Sequence, residues 1–128
     1  MIKGTGVDIQ NMEAFIGLSR SDPFIMKSFT EYERCAAGEK SVPQLYLAER
    51  FAAKEAVIKA FRADTNHMRL CDIETRSDEY GAPYVVLYGG MARRAEELSI
   101  AKIHISLSSD MGNAVAFAVA EGFDGGDI

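Results

Sequence analysis

Tryptophan is absent from this sequence, histidine and cysteine occur twice each, and proline three times. Two histidines, His67 and His104, exclude a histidine-rich metal centre, so any metal site must be built from carboxylates and suit a hard ion such as magnesium. Cys35 and Cys71 are too few and too isolated for a disulfide framework or a zinc site, and read as reduced thiols. The longest stretch without a charge, Tyr80 to Ala92, has 13 residues, including three Gly and one Pro, too short and broken to cross a bilayer. No basic segment followed by a long apolar run opens the chain, so no signal peptide and a cytoplasmic location are expected. Basic residues are not in excess: 14 Lys and Arg against 19 Asp and Glu leave a net charge of −5, and no basic field supports a nucleic-acid site.

What is there is globular. Apolar residues make up 48% and charged residues 26% of 128 positions, and a chain of this length buries roughly two-thirds of its unfolded surface. Residues 1–128 are expected to form a single domain, with a frayed tail over 122–128, where three Gly and two Asp cluster.

Ile2–Ile9 reads as a strand ending near Asp8, and Asn11 as the cap of a helix over Met12–Leu18. Thr30-Glu31-Tyr32-Glu33 is a capping box that starts a short helix. After a loop at 38–43, Pro43 to Arg62 is the strongest helix, opened by proline and filled with Ala, Leu, Glu, Lys and Arg. Met68–Arg76 and Tyr84–Tyr88 read as strands joined by a turn at Ser77–Pro83, with a helix at Met91–Leu98 behind them. Lys102–Ser108 and Ala114–Ala120 alternate as strands, joined by a turn at Asp110–Asn113. Helices and antiparallel hairpins in this order give an α+β class.

Several residues break the apolar pattern. On a wheel of about 100° per residue, Leu47, Ala48, Phe51, Ala52 and Ile58 mark the core sector of the long helix, and Glu55, Lys59 and Arg62 fall within it. Glu55 and Lys59 are spaced to form a helical ion pair at the core's edge, or to supply a carboxylate and an ammonium to an internal site. His104, Ser106 and Ser108 share one strand face, opposite Ile103, Ile105 and Leu107. That face is either solvated or a wall for a phosphate or a nucleotide tail. Asp8 is a turn aspartate or a metal carboxylate, because magnesium is commonly held by one or two carboxylates plus substrate phosphates. Arg50, on the helix flank, faces an anion or water, and Glu79-Tyr80-Gly81-Ala82-Pro83 connects a hairpin.

Taken together, G-V-D-I at 6–9, R-F-A-A-K-E-A-V-I-K-A-F at 50–61, D-I-E at 72–74, G-A-P-Y at 81–84 and H-I-S-L-S at 104–108 resemble the small bacterial type of 4′-phosphopantetheinyl transferase, the holo-acyl-carrier-protein synthases. The resemblance spans nearly the whole chain. It implies a small antiparallel sheet around one long helix, and a homotrimer with sites between subunits. It also implies coenzyme A and an apo acyl carrier protein of fatty-acid synthesis as substrates, magnesium as cofactor, and adenosine 3′,5′-bisphosphate as product. By resemblance Asp8 and Glu55 hold the metal, and Lys59 contacts the phosphate or the leaving group. Arg50 and His104 bind coenzyme A phosphates, Ser106 and Ser108 line that region, and Gly81 and Pro83 form part of the adenine pocket. His104, Glu55 or a metal-bound water is the base that accepts the serine proton. The chain departs from the usual family pattern at Ser109, Tyr80, Ala82 and 62–66, and Gln10 to Ser19 holds Glu13 but no Lys or Arg. Those departures keep two alternatives in view: a specialised polyketide or peptide-synthesis carrier, and a non-catalytic coenzyme A binder.

Overall fold

A computed structural model describes residues 1–123. Five strands form two antiparallel sheets: β1 (Ile2–Asn11), β5 (Asn113–Gly122) and β4 (Ile100–Asp110) in the order β1-β5-β4, and β2 (Ile73–Ser77) with β3 (Pro83–Leu87). Four helices accompany them: α1 (Pro23–Ser28), α2 (Glu31–Gly38), α3 (Pro43–Ala60) and α4 (Gly89–Glu97). The α+β expectation, a small antiparallel sheet around one long helix, is borne out.

The sheet is shaped to accept α3. Ala114, Ala116, Ala118 and Ala120 alternate along β5 and are fully buried, a smooth floor that lets the helix lie close. On β1 the approach is closer still. A Cβ at Gly4 would stand 2.0 Å from the Ala60 carbonyl, and one at Gly6 2.0 Å from that of Ala56, so only glycine fits. Ile103, Ile105 and Leu107 of β4 join Val57, Ile73 and Met91 to complete one core. A second core gathers Phe15, Ile25, Phe29, Tyr46 and Leu47, with Phe15 and Phe51 ring centroids 5.8 Å apart.

Some boundaries move for identifiable reasons. The helix expected over Met12–Leu18 is a 3₁₀ turn, Met12–Phe15, capped by Asn11 and stopped before Gly17, whose φ is +81°. The sequence reading missed α1, where Asp22 accepts from the Phe24 amide and Pro23 opens the first turn. The strand expected from Met68 starts at Ile73, because Leu70–Asp72 forms a 3₁₀ turn. The long helix closes at Ala60. Met111 and Gly112 both take positive φ between β4 and β5, the geometry of a tight hairpin loop. Of the tail expected to fray, Gly122 is paired with Ile100 inside the sheet, and 124–128 lie outside the described residues.

The single core sector drawn for α3 needs correction. Ala53, Lys54, Ala56, Val57 and Ala60 are buried as well as Leu47, Ala48 and Ala52, while Phe51 and Ile58 are only half-buried. The helix is covered around most of its circumference, and Glu55 sits half-buried.

Candidate active site

The contact that excludes a side chain at Gly6 also builds the site. With β1 pressed against α3, Asp8 at the far end of the strand comes beside Glu55 and Lys59 on the helix. The Lys59 ammonium donates to the Val7 carbonyl at 2.9 Å and lies 3.3 Å from Asp8 Oδ1, and Gln10 Nε2 donates to Asp8 Oδ2 at 2.8 Å. Lys59 thus ion-pairs with Asp8 rather than along the helix with Glu55, the pair its spacing suggested. Glu55 is held above the ordinary carboxylate value, first by burial and then by the negative charge of Asp8, with Lys59 opposing. Two carboxylates from different elements that repel one another are the donor set a hard divalent cation relieves, and they fit magnesium. Among the described residues no cluster of three or more His, Cys, Asp or Glu stands ready for a metal, so a cation held by Asp8 and Glu55 would need further ligands from outside the protein.

A second group forms where α3 meets the β2–β3 hairpin. The Arg50 guanidinium stacks on Tyr46, 4.7 Å from the ring centroid, and Nη2 donates to Ser77 Oγ at 3.3 Å. Arg50 is only 9% exposed, yet its Nε and Nη1 have no partner. Buried, unspent N–H groups on a permanent cation suit an oxyanion. Ser77 leads into the turn holding Gly81. There Asp78 Oδ1 accepts from the Tyr80 and Ala82 amides, and Gly81 takes φ +81°. Arg50 and the Gly81–Pro83 turn therefore belong to one locality, with Tyr80 at the tip, 87% exposed.

His104, Ser106 and Ser108 do share one exposed face of β4, as the alternation predicted. That face points away from Asp8. Ser106 pairs with Phe117 and Ser108 with Val115, whereas Asp8 pairs with Ala116, and paired residues share a sheet face. Asp8 lies on the side covered by α3, and the three β4 residues lie on the other. One copy of the chain therefore does not bring the two sets together. His104 Nε2 instead contacts Glu121 Oε1 at 2.9 Å, and that hydrogen bond holds Glu121 below the ordinary carboxylate value. Val7, Ile9, Val115 and Phe117 extend this outer face as an exposed apolar surface.

Comparison with known proteins matches residues 4–120 to the family model of the 4′-phosphopantetheinyl transferase superfamily. The chain belongs to that superfamily. A holo-[acyl-carrier-protein] synthase of Halothermothrix orenii is 38% identical over 123 residues, covering 94% of this chain and 98% of the relative. A Neisseria meningitidis holo-[acyl-carrier-protein] synthase superposes with a TM-score of 0.85 at 31% identity, covering 94% of this chain and 99% of that one. A Bacillus anthracis synthase solved in complex with CoA (3′,5′-ADP) gives a TM-score of 0.76 at 31% identity, covering 96% and 99%. The phosphopantetheinyl transferase expected from the five segments is borne out.

Reading this transferase from sequence missed one buried network. Lys54 and Glu33 are both fully buried and 2.6 Å apart. Glu33 closes the expected capping box and accepts from the Thr75 amide and hydroxyl at 2.8 and 3.0 Å; Lys54 also donates to the carbonyls of Leu70 and Ile73. Burial pushes the Lys54 ammonium below the ordinary lysine value, with Glu33 opposing. The signal was available: Lys54 lies seven residues after Leu47 and three before Val57, among apolar positions. The network ties α2 and β2 to the stretch of α3 between Arg50 and Glu55.

Proposed function

We propose that this chain transfers the 4′-phosphopantetheine arm of coenzyme A to a serine of an apo acyl carrier protein. The reaction depends on magnesium and releases adenosine 3′,5′-bisphosphate. The observation that carries this reading is the Asp8–Glu55 pair with the Lys59 ammonium against it. Asp8 and Glu55 are the residues that would hold magnesium, which when bound neutralises charge on the diphosphate. Lys59, 53% exposed, offers its ammonium to a phosphate oxygen. The carrier serine forms the new O–P bond, the bond from that phosphorus to the adenosine bisphosphate breaks, and the serine proton passes to a base, His104 or Glu55. Positioning and electrostatics dominate such a transfer. Arg50 offers its two unpartnered nitrogens, Nε and Nη1, to a coenzyme A phosphate, and the Gly81–Pro83 turn beside it lines the adenine.

His104, Ser106 and Ser108 join this chemistry only from a second copy, since in one chain they occupy the opposite sheet face. The exposed apolar surface beside them supports self-association, and we assign a homotrimer with sites between subunits. Two free thiols accord with a cytoplasmic enzyme. Among the described residues no helix is long and apolar enough to cross a membrane.

The test is the intact mass of an apo fatty-acid carrier after incubation with this protein, coenzyme A and magnesium. A gain of one phosphopantetheine arm, lost on adding EDTA, is expected. An unchanged mass on every carrier tried contradicts the reading. One observation favours a specialised carrier: Met12–Phe15 holds Glu13 and no cation, while Ile16, Phe24 and Met26 stand exposed nearby. Rates compared across fatty-acid, polyketide and peptide-synthesis carriers decide this, and a clear preference for the fatty-acid carrier removes the second reading.

A further inference from the structure

The groove between β1 and α3 is a ladder whose third rung has no role so far. Three residues of one β1 face meet, in antiparallel order, two of α3 and one just past its end: Asp8 beside Glu55, Gly6 beneath Lys59, and Gly4 beneath Arg62. A Cβ at Gly6 would stand 2.9 Å from Lys59 Cβ, and a Cβ at Gly4 would stand 2.9 Å from Arg62 Cγ. The two glycines are thus the floor on which the two cationic stems lie. Arg62 follows Lys59 by three residues and lies two residues beyond the last helical residue, Ala60. It borders an open cleft of about 340 Å³ with Lys3 and backbone of β1. Among the described residues neither Lys3 nor Arg62 has a carboxylate partner.

Arg62 also holds an unfavourable backbone. Its φ is +50°, just past the helix end, where glycine closes a helix without steric strain. A capping role alone gives no reason for arginine there, whereas a cation on the same row as Lys59 does.

We propose that Arg62, assisted by Lys3, is a second phosphate-binding position of this active site. It takes a phosphate of coenzyme A other than the one under attack, and so sets affinity for the nucleotide substrate. The proposal rests on the transferase reading above. The chemistry is that of a guanidinium and an ammonium around an oxyanion, and either the 3′-phosphate or the outer phosphate of the diphosphate can supply it.

The experiment is calorimetric titration of the full chain with coenzyme A and magnesium, repeated with dephospho-coenzyme A, for the unaltered protein, Arg62→Gly and Lys3→Gln. Thermal unfolding and the KM for the carrier are measured alongside. Arg62→Gly relieves the positive φ, so its unfolding temperature is expected to hold or rise, while coenzyme A binds about 3–10-fold more weakly, the effect of losing one partly screened charged contact. Lys3→Gln is expected to weaken binding in the same direction by less. If the loss vanishes with dephospho-coenzyme A, the bound group is the 3′-phosphate; if it persists, the group belongs to the diphosphate. Unchanged coenzyme A affinity in Arg62→Gly overturns the proposal and leaves the transferase reading standing. A lower unfolding temperature with unchanged affinity makes Arg62 a structural cap. A raised carrier KM with unchanged affinity for coenzyme A overturns the proposal in favour of carrier contact. No binding of coenzyme A by the unaltered protein overturns both.

Discussion

Glu55 carries the sharpest residue-scale expectation. Replacing it by Gln removes one of two carboxylates available to a cation while leaving its volume at a half-buried edge. Magnesium-dependent turnover is expected to disappear while the circular dichroism spectrum and unfolding temperature stay native; near-normal turnover contradicts the assignment. Tyr46 gives a pH prediction with a definite sign. Burial, opposed by the Arg50 charge and aided by that of Glu33, pushes its hydroxyl from 10.0 up to about 12. The folded state prefers the neutral phenol, so this contribution is fully present below pH 10.0 and is lost as pH rises towards about 12. A two-unit shift corresponds to about 2–3 kcal/mol, visible as a fall in unfolding free energy that Tyr46→Phe abolishes. At this scale much of the site was legible in sequence. Glu55 and Lys59 stood out because polar groups interrupted apolar periodicity, and Asp8 because it is a carboxylate near the end of a strand. Lys54 did not, because its partner Glu33 lies 21 positions earlier, already explained by its capping box.

At the scale of elements, α3 and its contacts decide the geometry. Gly6→Ala places a methyl against the Ala56 carbonyl, so strand and helix must separate. A loss of about 1–3 kcal/mol is expected from that overpacking, together with a turnover loss larger than the stability loss explains, because Asp8 moves relative to Glu55. Denaturant unfolding and turnover measured on the same preparation check it. Lys54→Met strands Glu33 in the core and is expected to cost about 3–5 kcal/mol, while Lys54→Met with Glu33→Leu recovers a large part of it. The elements themselves were readable where local chemistry was strong, as at the Thr30 capping box and the alternating β4 and β5. They were misread where tertiary contacts decide, as on α3, whose near-complete burial flattens the amphipathic signal that a wheel relies on.

At the scale of the whole molecule, the sheet is a partition. Asp8, Glu55 and Lys59 lie on its helix side, and His104, Ser106 and Ser108 on the other beside Val7, Ile9, Val115 and Phe117. Strand alternation implies such a split only once the register is known, so sequence spacing alone did not reveal that the two sets diverge within a chain. Phe117 is 47% exposed on that outer face, and Phe117→Asp is expected to yield a folded monomer without transferase activity, as sedimentation and carrier mass report together. The most direct test of this account is complementation. Glu55→Gln and His104→Ala are each expected to leave the carrier mass unchanged when assayed alone. Co-expressed and purified as mixed oligomers, they form some sites with Glu55 from one copy and His104 from another. The mixture is expected to restore the phosphopantetheine mass gain on the carrier. A mixture as silent as its two components contradicts it.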